Sequence, residues 1–222
     1  MENKGLKGLI FKILPAYGWI SIIVMLSVNM VTYVGTRFFT KDFVHYDMSL
    51  GIDGKIPLVP WFIFVYVVLA YAQWIIGYFL TARQERSICI NIIVAEVIAK
   101  LICLFCFLVI PTSMVRPEIT ATDFWSRMVN LVYMIDEPNN LFPSIHCLES
   151  YVLLRSMPYI KAPKWYKYLT LPVTLLVFLS TLLVRQHVVL DIVGAMGAVE
   201  SGILITRYLF KKKPFKALLK KA

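Results

Sequence analysis

Residues 58–80 form a run of 23 positions without a single charged side chain. A helix of roughly 20 apolar residues covers the ~30 Å hydrocarbon core of a bilayer, so this run is long enough to cross one. Comparable runs recur at residues 16–34, 87–111, 168–184 and 188–210, with a shorter one at 143–154. Of the 222 residues, 59% are hydrophobic and only 16% charged, a balance that a soluble domain of this size does not have. The expected fold is all-α: a polytopic membrane protein built as one six-transmembrane-helix bundle over residues 16–210. The fourth span is the shortest, and it is kept because six crossings make the charge pattern consistent.

That pattern also orients the chain. With a cytoplasmic N-terminus, the inside segments carry Lys4, Lys7 and Lys12, then Arg83 and Arg86, then Arg155, Lys161, Lys164 and Lys167, then Arg207 and the lysines from Lys211 onward. These are sixteen of the 23 basic residues, against six outside, and Asp42, Asp47, Asp53, Glu118, Asp123, Asp136 and Glu137 fall outside. The positive-inside rule then places both termini in the cytoplasm. It also accounts for the net charge of +10 through anionic lipid, with no need of nucleic acid.

Residues 1–15 interleave three lysines with Leu6, Leu9, Ile10, Phe11 and Leu14, which describes a basic amphipathic segment on the cytoplasmic surface. A signal peptide is the alternative reading, but no small-residue cleavage site follows, so residues 16–34 are read as an uncleaved span. Residues 211–222 form a basic cytoplasmic tail. Cys89, Cys103, Cys106 and Cys147 all lie inside apolar segments and read as small core residues rather than zinc ligands or disulfide partners. Residues 120–135 carry Phe124, Trp125, Met128, Val132 and Tyr133 near one helical face, which predicts a short interfacial helix.

The outer membrane edge of this topology collects the chemistry. Arg116 follows the third span, Pro143, Ser144 and His146 open the fourth, and Arg185 and His187 join the fifth to the sixth, with Asp191 one turn further on. Ionisable groups at such a depth are costly and mark function by default. His187 and Asp191 are four apart and share a helix face, so the carboxylate can fix the imidazole tautomer and leave the other ring nitrogen free to attack. Pro143 suits a first helical position, with Asn139 or Asn140 as caps, and the helix would then aim its amides at an anion. Arg116, Ser144 and Arg185 supply donors for phosphoryl oxygens, and His146 a second imidazole for a leaving alkoxide. His146 with Glu149 could instead ligate a metal, although no further cluster supports that. Glu96 and Lys100, one turn apart, read as a pair neutralised inside the bundle, or with Glu149 and Glu200 as an intramembrane path.

Arg116-Pro117, Pro143-Ser144-Ile145-His146 and His187-x-x-x-Asp191, in that order, resemble the three signature motifs of the type 2 phosphatidic acid phosphatase superfamily. Val109 stands where the first motif has a lysine, and Thr181 where the third has an arginine. The stretch from Ser180 to His187 resembles a divergent branch related to inositol phosphorylceramide and sphingomyelin synthases. The resemblance implies a metal-independent enzyme without cofactor, with His187 as a nucleophile that becomes phosphohistidine, His146 as general acid and Asp191 orienting His187. The function expected is a lipid phosphatase of the plasma membrane, acting extracytoplasmically on a polyprenyl or glycerolipid phosphate or diphosphate. The rivals are a head-group phosphotransferase with the same intermediate and a non-enzymatic lipid carrier.

Overall fold

The computed structural model describes residues 13–210. The tail at 211–222, and the amphipathic segment at 1–15 except for its last three residues, lie outside them. The described residues fold into seven helices: α1 (Ala16–Thr40), α2 (Pro60–Ala82), α3 (Arg86–Val109), α4 (Phe124–Ile135), α5 (Ile145–Ser156), α6 (Lys164–Leu183) and α7 (Val189–Leu209). All except α4 and α5 are long and apolar enough to cross a membrane, and these five make the chain an integral membrane protein. Strands of two residues each, β1 (Tyr46–Asp47) and β2 (Thr112–Ser113), pair in parallel and join the α1–α2 and α3–α4 connections.

Side-chain caps set the starts of α4 and α5. Asp123 caps α4, its Oδ1 accepting from the amides of Trp125 at 3.0 Å and Ser126 at 3.2 Å. The cap of α5 is Ser144, which accepts from the Cys147 amide at 3.3 Å. Neither Asn139 nor Asn140 fills that role, and Pro143 precedes the cap instead of occupying the first helical turn. The first helix outruns its expected end by six residues. Thr36 and Thr40 turn their hydroxyls onto the carbonyls of Thr32 and Thr36, at 2.7 and 3.0 Å, so the polar stretch costs the helix little.

Close backbone approach holds the bundle together. A side chain on Gly202 of α7 would run into the Ala95 carbonyl of α3, so only glycine permits this contact. Around it Ala99, Cys103 and Phe107 of α3 interlock with Cys147, Leu148 and Val152 of α5 and with Ala195 and Val199 of α7. Polar pins cross between helices as well. Gln73 donates to Thr174 Oγ1 at 2.9 Å and accepts from Tyr166 at its own carbonyl, at 2.7 Å. Such bonds each contribute about 0.6–2 kcal/mol in a membrane bundle.

The connections sort to two ends. At one end Tyr46 donates to the Pro111 carbonyl at 2.9 Å and Val59 to the Leu183 carbonyl at 2.8 Å, tying together the loops after α1, α3 and α6. At the other, Gln84 and Lys161 exchange two bonds of 3.0 and 2.8 Å, and Tyr17 reaches the Gln84 carbonyl at 2.7 Å. The twelve residues of α5 run from the first end, at Ser144, to the turn that meets Gln84 at the second.

Candidate active site

The loop before α7 is built on one carbonyl. Thr181 O accepts from the amides of both Gln186 and His187, at 3.0 and 3.1 Å, and Arg185 takes a left-handed φ of 54° to make the turn. This fixes His187 at the mouth of α7. Its Nδ1 meets Asp191 Oδ2 at 3.0 Å, and the same oxygen accepts the Val188 amide at 3.0 Å. Asp191 is thereby held from two sides, and the bond assigns the proton-bearing nitrogen of the ring, leaving Nε2 available. The His187 side chain is 10% exposed and Asp191 1%, so the pair is fixed and largely buried.

The start of α5 is stitched to the same place. Ser144 donates its amide to the Asp191 carbonyl at 3.1 Å, and Phe142 packs against Gly194. His146 follows two residues later, its ring 6.5 Å from that of His187, centroid to centroid. Tyr66 stacks on it at 4.2 Å, Trp74 meets it edge-on at 5.0 Å, and Tyr66 Oη lies 3.4 Å from its Nδ1. An aromatic box therefore sets the ring angle, while His146 Nε2 is buried and has no partner.

Arg116 completes the group through a neighbour. It donates to Gln186 Oε1 and, at 2.5 Å, to the Asp136 carbonyl, and its guanidinium lies 4.5 Å over the Tyr133 ring. Burial pulls this guanidinium below its ordinary range, opposed by nearby Asp136. Burial likewise pushes the Tyr133 phenol up to about 12, against the pull of Arg116 and Arg185. Behind this layer, Asp136 accepts from Tyr33 and, at 2.7 Å, from Arg37, which pins the α4–α5 loop to α1.

The structure thus brings His187, Asp191, His146, Arg116 and Ser144 to one end of the bundle. Ser144 is fully buried and its oxygen serves the α5 cap. Arg185 is directed elsewhere: its Nη1 donates to the Asp53 carbonyl at 2.5 Å and the Ile56 carbonyl at 3.3 Å, so it clamps the loop before α2. Glu149 does not join His146 as a ligand pair. It binds Lys100 at 2.6 Å, with Glu96 on the other side of the ammonium at 3.2 Å. Glu200 lies apart, paired with Arg155 and bonded to Tyr151 at 2.8 Å. Among the described residues no three His, Cys, Asp or Glu side chains gather as a metal site.

Two features of the site were not read from the sequence. Gln186 is 1% exposed, links Arg116 to the His187 loop, and leaves its own Nε2 unpartnered. Together with Arg116 Nε and His146 Nε2, three buried nitrogens in this small volume have no protein partner, which native interiors rarely tolerate without a bound water, ion or ligand. The second feature is a cavity of about 390 Å³ beside His146, bounded by α1, α2, α3 and α5. Compared with family models, curated proteins and solved structures, the chain matches none.

Proposed function

We propose that this protein is a membrane lipid phosphatase that works through a phosphohistidine on His187, without metal or cofactor. The observation that carries the reading is the pair of imidazoles 6.5 Å apart, one oriented by a carboxylate at 3.0 Å, beside three unpartnered buried nitrogens. That spacing suits a phosphoryl group between the rings. Arg116 Nε and Gln186 Nε2 would donate to its oxygens, and the desolvated guanidinium meets an anion without first shedding water.

The chemistry then balances with residues of the chain alone. His187 Nε2 attacks phosphorus, forming the P–N bond as the bond from phosphorus to the lipid oxygen breaks. His146 Nε2–H gives its proton to the departing oxygen, which leaves as the lipid alcohol. Water attacks the phosphohistidine, loses a proton to His146, and phosphate departs from a restored His187. Asp191 keeps the Nδ1 proton of His187 in place and offsets the positive charge of the phosphorylated ring.

In this reading the chain makes six crossings with both termini cytoplasmic, and the site lies on the extracytoplasmic face of the plasma membrane. The two-ended sorting of the loops and the basic bias of the Arg83–Lys161 end favour this arrangement, with α5 as a short sixth crossing protected by its neighbours. A second reading, transfer to a lipid alcohol in place of water, is favoured by the cavity beside His146. The test is phosphate release by purified protein from lipid phosphates and diphosphates, with His187→Ala alongside. Release without an added alcohol, lost in the variant, supports the phosphatase; release that requires an alcohol supports the transferase.

A further inference from the structure

The cavity beside His146 runs along the seam between α1 and α2. Leu26 of α1 is 63% exposed and Ile75 of α2 68%, and both line it, so its mouth is on the apolar outer surface of the bundle. Tyr71, Trp74 and Tyr78 form an aromatic wall, Lys100 and Glu149 lie deeper, and His146 closes one end. The polar groups here are unbalanced. Lys100 engages one oxygen of Glu96 and one of Glu149, and the second oxygen of each carboxylate is buried without a donor. Asn29, also on the cavity wall, has an unpartnered Oδ1 as well.

The unpartnered atoms therefore differ between the two sides of His146. On the Arg116 side lie the three nitrogens, suited to phosphate, with Asp191 Oδ1 behind them; on the cavity wall both unpartnered atoms are acceptors, Glu149 Oε2 and Asn29 Oδ1, suited to O–H or N–H groups. A ligand entering here comes from the bilayer and ends beside His146.

We infer that this slot binds the lipid-alcohol part of the substrate and selects lipids with a free hydroxyl or amine next to the phosphorylated oxygen. The inference rests on the phosphoryl-transfer reading and narrows it. The reacting oxygen sits at His146, the neighbouring donor is met by Glu149 and Asn29, and the hydrocarbon chain leaves between α1 and α2. The same slot holds the alcohol whether it departs or attacks, since the two steps are the reverse of one another. Polyprenyl and simple alkyl phosphates lack the donor and are poorer substrates.

Two measurements on the purified full chain test this. The first is binding of unphosphorylated C18 alcohols, read by Trp74 fluorescence with Trp74→Phe as signal control. A 2-amino alcohol and a 1,2-diol bind roughly tenfold more tightly than octadecanol, the value of a well-made buried hydrogen bond. Asn29→Leu with Glu149→Gln erases most of that margin; if the double variant does not fold, Asn29→Leu alone reduces it. The second is phosphate release from the corresponding phosphates. Equal binding of the diol and octadecanol overturns the slot, whatever the turnover. Preferential binding without phosphate release upholds the slot and removes the phosphatase reading.

Discussion

His187 Nδ1 lies 3.0 Å from Asp191 Oδ2, one helical turn further along the chain, and that carboxylate is held in turn by the Val188 amide. The bond sets which nitrogen of His187 is free. Asp191→Asn keeps the volume and can still accept the Val188 amide, yet it allows the wrong tautomer. Turnover should fall by on the order of a hundredfold or more, by analogy with other oriented histidines, while thermal unfolding in detergent stays near that of the native protein.

The buried Lys100 cluster predicts a large effect on stability. Lys100 is 1% exposed between Glu96 and Glu149, so Lys100→Met strands two carboxylates in the bundle. Removing one partner of a buried ion pair costs about 3–5 kcal/mol. Adding Glu96→Gln and Glu149→Gln to Lys100→Met should recover much of the loss, read as the midpoint of thermal unfolding. Equal destabilisation in the triple variant would refute the ion-pair account.

Packing of α3 on α7 gives a cleaner contrast. Gly202→Ala forces a methyl into the Ala95 carbonyl and should cost about 1–3 kcal/mol. Gly197→Ala, on the same helix, meets nothing within 4 Å and should be neutral or slightly stabilising. The two variants differ only in where the methyl lands, so similar melting curves would contradict this contact.

Topology is accessible to single-cysteine labelling from outside intact cells. Lys55 and Thr120 are exposed at the site end, and Arg83 and Lys164 at the other. Probes at the first two should react and those at the last two should not. Gln186 is a poor probe because it is 1% exposed. Reaction at both Lys55 and Arg83 from one side would break the six-span arrangement, since α2 separates them.

How far the sequence reaches depends on the range of each contact. The long spans were legible because an uncharged run has one stable environment. The His187–Asp191 pair was legible from its spacing of four, although His187 stands in the loop just before α7 and meets Asp191 across the first turn instead of sharing a helix face with it. The C-terminal extension of α1 was hidden by its threonines, whose hydroxyls return to the helix's own carbonyls. Arg37 with Asp136, and Tyr66 with His146, join residues 99 and 80 apart, and no local pattern announces such partners. Gln186 escaped because an amide has no chemistry of its own; its position next to His187 was the only signal. Arg185 looked like a phosphate ligand by residue type, but its left-handed backbone and the carbonyls of Asp53 and Ile56 turn it to the loop.

Metal dependence follows from the same inventory. If imidazoles and Arg116 supply nucleophile, acid and charge clamp, dialysis against a chelator should leave activity within about twofold. Activity that vanishes and returns only with magnesium or zinc would require a different class of catalysis.

The roles of the two histidines are separable by rapid quenching. With radiolabelled lipid phosphate and an acid-free quench, label should be found on His187 and be absent from His187→Ala, which also loses turnover. His146→Ala should still form the labelled enzyme from an aryl phosphate, whose leaving group needs no proton, while failing on alkyl phosphates. Label on His146, or undiminished turnover in His187→Ala, would contradict the account.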